Sequence, residues 1–277
     1  MKIRTFSYDQ LDTFVHRLSG LSKLVCFLLL TTAIMLTYDI RIILAIMVLS
    51  YIMMMISKIR YSQIKVMLIY VFAFLAFNFI LTYVFAPEYG VKIYGTRHQL
   101  FSFGGPYTVT LEQLFYQVTK FSKYLSVIPL GIIFILTTNP SEFASALNGV
   151  GISYKICTSL SLTLRYFPDV ADDYNSISLA QQARGLEMSK KAKMMDRLKR
   201  IAGILIPLIM TTMDRIDIIS NAMDLRGFGK HKKRTWYAKK PLKRNDYISM
   251  AVCLAVLIIS LYIRFAVNHS IYYNPFQ

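Results

Sequence analysis

Five stretches of this chain are apolar over roughly the depth of a lipid bilayer, and that segmentation limits the fold more than any other feature. A hydrocarbon core of about 30 Å asks for roughly 20 apolar residues in a helix that rises about 1.5 Å per residue. The stretches lie near residues 24–38, 42–57, 66–86, 109–138 and 247–263. The first two are short, so they either extend into their flanks or form a closely packed hairpin. The fourth is interrupted by Glu112, Lys120 and Lys123. Composition agrees: 55% of residues are hydrophobic and 17% charged, against roughly 25% charged in a soluble domain. That balance excludes a disordered chain, which needs the reverse. Cys26, Cys157 and Cys253 lie in apolar surroundings without a Cys-x-x-Cys pair, so they read as inert core or lipid-facing thiols.

The charge distribution sets a topology. The formal charge is +17, from 32 Lys and Arg against 15 Asp and Glu. Lys2, Arg4, Arg17 and Lys23 precede the first span, and Lys58, Arg60 and Lys65 follow the second. The intervening turn holds only Arg41, and the loop at 87–108 only Lys92 and Arg97. Residues 139–246 carry 19 of the 32 basic side chains. Cytoplasmic segments concentrate Lys and Arg, which predicts a plasma-membrane protein with a cytoplasmic N-terminus, five crossings and an external C-terminal tail. The loop at 87–108 then reads as an external, turn-rich connection. The first span has a basic start, but it lacks a small-x-small cleavage site near Met35–Thr37 and a second span follows at once, so it reads as uncleaved. The segmentation divides the chain into transmembrane helices over 1–138, a cytoplasmic helical region over 139–245, and a last span with its tail over 246–277. Because topology already accounts for the charge, nucleic-acid binding is not expected. The dense basic run from Lys230 through Arg244 reads as an anchor against anionic headgroups.

Region 139–245 is neither lipid-soluble nor loop-like. A short helix over 141–147, with Ser141 as its N-cap, ends at Asn148-Gly149-Val150-Gly151. A long helical pattern covers about 153–183, kinked or restarted near Pro168, and a second covers about 197–225 with Pro207 inside it. Residues 190–199 form a basic connection or a short helix. In the second long pattern Asp214, Asp217, Asn221 and Asp224 make a polar stripe. Ile209, Met213, Ile216, Ile219 and Met223 make an apolar stripe that reads as core packing. Both long patterns finish on the same signature, Ala180-Gln181-Gln182-Ala183-Arg184-Gly185 and Ala222-Met223-Asp224-Leu225-Arg226-Gly227. Glycine just past a helix permits the left-handed cap, and arginine before it faces the negative end of the helix dipole. One such ending closes a helix well; two in one insert point to helix ends that each present a guanidinium to a partner.

These residues resemble the transmembrane T component of energy-coupling factor (ECF) transporters, the family that includes the cobalt-transport protein CbiQ. His16-Arg17-Leu18 with Lys23-Leu24 looks like the family's entry to the first span. Thr138-Asn139-Pro140-Ser141-Glu142-Phe143 looks like its segment after the fourth, and Arg165-Tyr166-Phe167-Pro168 like its R-Y-[IF]-P element. Ala183-Arg184-Gly185 and Leu225-Arg226-Gly227 look like its two x-Arg-x coupling motifs. Ser19-Gly20, where the family often has Asp-Pro, and an individual loop at 87–108 are departures that bear on subtype and substrate. The resemblance implies an all-α integral membrane protein: about five transmembrane helices and a cytoplasmic coupling domain with two long crossing helices. It also implies a non-catalytic subunit, without cofactor or metal, of an ATP-driven importer for a vitamin or metal ion. Its partners would be two ABC ATPases, identical or different, docked on the x-Arg-x motifs, a small membrane S component that binds the substrate, and the lipid bilayer.

Two other functions fit the residues less well. A polytopic membrane enzyme needs a nucleophile–base pair or clustered metal ligands at membrane depth. The spans hold few acids and no H-E-x-x-H, and His16, His98, His231 and His269 are scattered. A self-contained secondary transporter needs ionisable groups within the spans. Lys120 and Lys123 are the only deep candidates, and both read as edge or protein-facing residues. Gly227-Phe228-Gly229-Lys230 has the wrong spacing for a phosphate loop.

Overall fold

The computed structural model describes residues 13–59, 61–102, 108–185, 194–231, 234–268 and 270–276. Lys2, Arg4, Gly104–Pro106, the connection before 194, Lys232–Lys233 and His269 lie outside the described residues. The chain folds as an all-α membrane protein with one small strand pair, in two compact units: residues 1–142 with 240–277, and residues 143–239.

The first unit contains α1 (Phe14–Arg17), α2 (Gly20–Leu36), α3 (Ile40–Ile56), α4 (Tyr61–Phe85) and α5 (Tyr89–Tyr94). After α5 come β1 (Gln99–Ser102), β2 (Thr108–Thr110) and α6 (Leu111–Thr137). The stretch read as a turn-rich connection is thus a helix followed by an antiparallel pair with Gln99 opposite Thr110. Polar residues set the helix starts: Ser19 accepts from the Ser22 N–H at α2, Asp39 from Arg41 at α3, and Thr110 from Gln113 at α6. Residues 64–85 and 111–137 are long and apolar enough to cross a bilayer, as are residues 244–267 in the last helix. The 17-residue α2 and α3 rise only about 25 Å. They do not form a hairpin core of their own. Helix α2 packs on the last helix and on α6, and α3 packs on α6, around Leu30, Ala33, Ile34, Ile42, Ile46 and Leu130.

The short helix predicted over 141–147 is α7 (Pro140–Gly149). Its cap is Asn139, whose side chain accepts from the Ser141 N–H at 3.1 Å, which leaves Pro140 at the first helical position, where no donor is needed. The residue with positive φ at its far end is Gly151, not Gly149. The second unit continues with α8 (Tyr154–Ala183) and α9 (Met194–Leu225). Each runs unbroken through its proline, Pro168 in α8 and Pro207 in α9. The chain returns to the first unit through α10 (Arg244–Tyr262), which continues into a π-helical turn, Ile263–Val267.

Two polar knots hold the first unit. At one end, Asp246 is 2% exposed. It accepts the Ser19 N–H at 2.8 Å, the Ser22 hydroxyl at 2.6 Å and the Lys243 N–H at 2.8 Å, joining the start of α10 to the start of α2. Beside it Lys23 donates to the Thr137 carbonyl at 2.7 Å, and Lys240 pairs with Glu142 at 2.6 Å. At the opposite end the last carbonyls of α2 receive cations: Lys123 donates to Met35 and Thr37, and Arg264 to Leu36. Lys120 reaches across to the Thr82 hydroxyl. Both lysines therefore serve the packing. Asp39 takes a forked pair of bonds from Arg41 and one from Asn268, and Arg41 lies over the Tyr273 ring. The C-terminal residues Tyr272, Asn274 and Phe276 close this end against Tyr38, Tyr94 and Phe115. Burial raises the hydroxyl of Tyr94 to about 12.

Removing the Asp246 carboxylate leaves the Ser19 amide without its acceptor in a buried site and the Ser22 hydroxyl with only the Ser19 carbonyl. Asp246→Ala is expected to cost about 2–4 kcal/mol, read as a lowered thermal midpoint in detergent. Asp39 supplies a pH signature. Burial alone would raise its carboxyl, but the bonds from Arg41 and Asn268 outweigh it and hold the group below its ordinary value. The stabilisation is therefore complete above the unfolded carboxyl value of about 4 and is lost as pH falls through the folded one. The thermal advantage of wild type over Asp39→Asn is expected to be about 1–2 kcal/mol at pH 7 and to vanish in strong acid.

Candidate functional site

The two long helices of the second unit pack in opposite chain directions. Tyr154 at the start of α8 meets Phe228 just past α9, with ring centroids 5.5 Å apart. Midway, Arg215 pairs with Asp173 at 2.7 Å. Near the other end Gln181 donates to the Gly203 carbonyl at 3.2 Å. The α9 seam is Ile204, Leu208, Thr212, Arg215, Ile219 and Met223, all buried or half-buried, at helical steps of four with a single step of three. Facing it, Tyr154, Thr158, Leu162, Tyr166, Val170, Asp173, Ile177 and Gln181 follow the same rhythm.

This seam corrects the expectation for the apolar stripe. Ile209, Met213 and Ile216 are 56%, 57% and 52% exposed, and only Ile219 and Met223 turn inward. The periodicity marks an amphipathic helix but cannot say which neighbour covers its apolar side. With Leu205, Ile206, Met210 and Ile218 also exposed on α9, and Phe167, Tyr174 and Leu179 on α8, the pair presents more apolar surface than a free soluble domain tolerates.

Both arginine signatures sit where the chain leaves a helix. Gly185 has φ +85° and Gly227 φ +66°, the left-handed region that only glycine enters without penalty. At the second end the Phe228 N–H returns to the Met223 carbonyl at 3.0 Å and the Gly227 N–H to Asp224 at 2.9 Å, the paired bonds of a Schellman cap. At the first, the Gly185 N–H bonds to the Gln182 carbonyl at 3.0 Å and the Arg184 N–H to Ala180 at 3.2 Å. Ala183, Arg184, Gly185, Leu225 and Arg226 are exposed, Leu225 at 90%, while Gly227 is half-buried. The antiparallel packing keeps the two motifs apart. Arg184 ends α8, whereas Arg226 lies back beside the start of α8, a separation on the order of the 30-residue helix itself, about 45 Å.

The surroundings of the two ends differ. Among the described residues, nothing lies within 4 Å of a Cβ built on Gly185. Around Arg226 the chain has turned back: Arg234 donates to the Arg226 carbonyl at 3.1 Å, and the Trp236 indole N–H donates to Asn148 at 3.0 Å. The basic run read as a headgroup anchor therefore has at least two members committed to protein contacts, Arg234 here and Lys240 on Glu142. Trp236, the single tryptophan of the chain, standing in an otherwise basic and polar segment, was the signal for this fold-back.

Comparison with known proteins agrees with this architecture. The family model described as CbiQ, cobalt transport protein, matches residues 12–237. The chain belongs to the CbiQ family. It is similar to the energy-coupling factor transporter transmembrane protein EcfT of Staphylococcus aureus, 24% identical over 94% of this chain and 96% of that one. It is also similar to that of Streptococcus thermophilus, 26% identical over 91% and 95%. The EcfT protein of Leuconostoc gelidum subsp. gasicomitatum is 29% identical over 70% and 72%. A putative ABC transporter ATP-binding protein of Bifidobacterium longum is 28% identical over 54% of this chain, which is 20% of that longer protein. This CbiQ-family chain is a multi-pass membrane component of an energy-coupling factor transporter.

The positive φ of the two glycines gives a direct check on the helix ends. Gly185→Ala and Gly227→Ala are each expected to cost about 1–2 kcal/mol. Hydrogen–deuterium exchange should quicken at the Arg184 or Arg226 amide in the matching variant and remain unchanged at the other end.

Proposed function

We propose that this chain couples two cytoplasmic ABC ATPases to a small membrane S component that binds a vitamin or metal ion. Ala183-Arg184-Gly185 docks on one ATPase and Leu225-Arg226-Gly227 on the other. The observation that carries this reading is the placing of two exposed, arginine-bearing helix ends at opposite ends of one antiparallel pair. A rigid pair whose ends lie about 45 Å apart can engage two large subunits at once and convert a change in their separation into movement of the helices. The guanidinium is the group for such a contact, because it stays charged and offers a planar fork of donors to a carboxylate or to backbone carbonyls. The match to part of a protein named as ATP-binding supports the ATPase partnership.

The exposed apolar flank of α8 and α9 suits a partner that is itself a membrane protein, the part assigned here to the S component. On this reading the second unit and the N-terminus face the cytoplasm and the C-terminal tail lies outside, as the basic side chains distribute. ATPase closure moves the helix pair, and the S component reorients and releases its substrate inward.

The test is co-purification in mild detergent from a host that carries the whole transporter. Arg184→Ala with Arg226→Ala is expected to lose the ATPases while inserting normally, since neither guanidinium has a structural partner among the described residues. Losing a buried charged contact costs about 2–5 kcal/mol, or about 30-fold or more in affinity at each end. Arg226→Lys should recover only part of the binding if the contact is forked. Full recovery of the ATPases with the double variant would refute the docking assignment.

A further inference from the structure

The second arginine end borders a cavity. It has a volume of about 310 Å³ and lies between the start of α8 and the chain that folds back after α9. Tyr154, Leu162, Met223, Phe228 and Trp236 make its walls, and Arg226 and Arg234 are the charged residues that line it. No carboxylate lines it among the described residues. Tyr154 also borders it. Tyr154 is 6% exposed, and its buried hydroxyl has no hydrogen-bond partner among the described residues. Such a buried polar atom costs free energy until a partner arrives.

The cavity is also prearranged. Trp236 is fixed by its bond to Asn148, and Arg234 by its bond to the Arg226 carbonyl, so neither large side chain must be ordered when a ligand enters. Two guanidiniums at the wall, an orphaned phenol and an apolar lining match a ligand with a carboxylate head and a short apolar stem.

We propose that this cavity receives an acidic side chain, aspartate or glutamate, from the ATPase that docks on Arg226. The contact at this end is then reciprocal: the chain inserts an arginine and takes back a carboxylate held by Arg226, Arg234 and the Tyr154 hydroxyl. This rests on the docking reading above. Because a cavity accompanies Arg226, this end carries contacts beyond its motif, and these fix which ATPase sits on it when the two differ. Trp236 and Arg234 are specificity determinants outside the Leu-Arg-Gly motif.

The single tryptophan makes the cavity directly observable. In the complex purified with its own ATPases, with only this chain labelled with 5-fluorotryptophan, the fluorine spectrum reports Trp236 alone. Its resonance is expected to shift relative to the same chain after the ATPases are stripped. An unchanged resonance while the ATPases remain bound would overturn the cavity proposal and leave docking intact. Absence of the ATPases from the preparation would instead be a failure of the docking reading. A shift on adding phosphatidylglycerol vesicles to the stripped chain, without one in the ATPase complex, would assign the cavity to a lipid phosphate and overturn the proposal as well. In parallel, Arg234→Glu should reduce ATPase recovery about tenfold or more, with Arg234→Lys intermediate. Recovery equal to wild type for Arg234→Glu would also refute it.

Discussion

The membrane unit depends on one buried carboxylate. Asp246 opens the last span, yet its oxygens are satisfied by Ser19 and Ser22 at the start of the first, as well as by the Lys243 amide. A charge at that depth persists only if every lone pair finds a donor. Here the donors come from the other end of the sequence, so Asp246 fixes the register of α2 against α10 as well as their proximity. The ion pair of Glu142 with Lys240 sits at the two points where the chain leaves and re-enters this unit.

The far end of the bundle is held by a different device. Helix α2 stops about 25 Å after it starts, and its last carbonyls would be left bare. Lys123 from α6 and Arg264 from α10 supply donors to them, each with its positive charge at the negative end of the dipole. Cations that would mark an ion pathway in a transporter of the secondary type are here structural, and their positions explain why so short a helix is tolerated.

What could be read from the sequence was what each residue states by itself. Apolar run length located the helices to within a few residues, because the bilayer acts on one segment at a time. Gly185 and Gly227 could be read as left-handed caps for the same reason. What needed a second segment was not legible. The faces of α9 show this: the stripe Ile209–Met213–Ile216 has the period of a core, but the neighbour that buries Ile204 and Arg215 lies one face further round. Likewise the basic run after Gly229 looked uniform, and only the three-dimensional path shows that Arg234 returns to cap the helix that ends at Arg226. Ser141 reads as the cap of α7 because serine caps well, but Pro140 has no amide to lose at the first helical position, and Asn139 before it takes the Ser141 N–H instead.

The pairing of the first span with the last has a consequence for how the protein is made. A chain emerging from the ribosome delivers α2 to the membrane long before α10 exists, with the whole of residues 143–239 synthesised in between. During that interval the Ser19 amide and the apolar side of α2 that α10 will cover have no partner. The bundle can close only once α10 has been made, after all of residues 143–239. The last helix thus acts as a lock: a chain truncated before Asp246 leaves the start of α2 open.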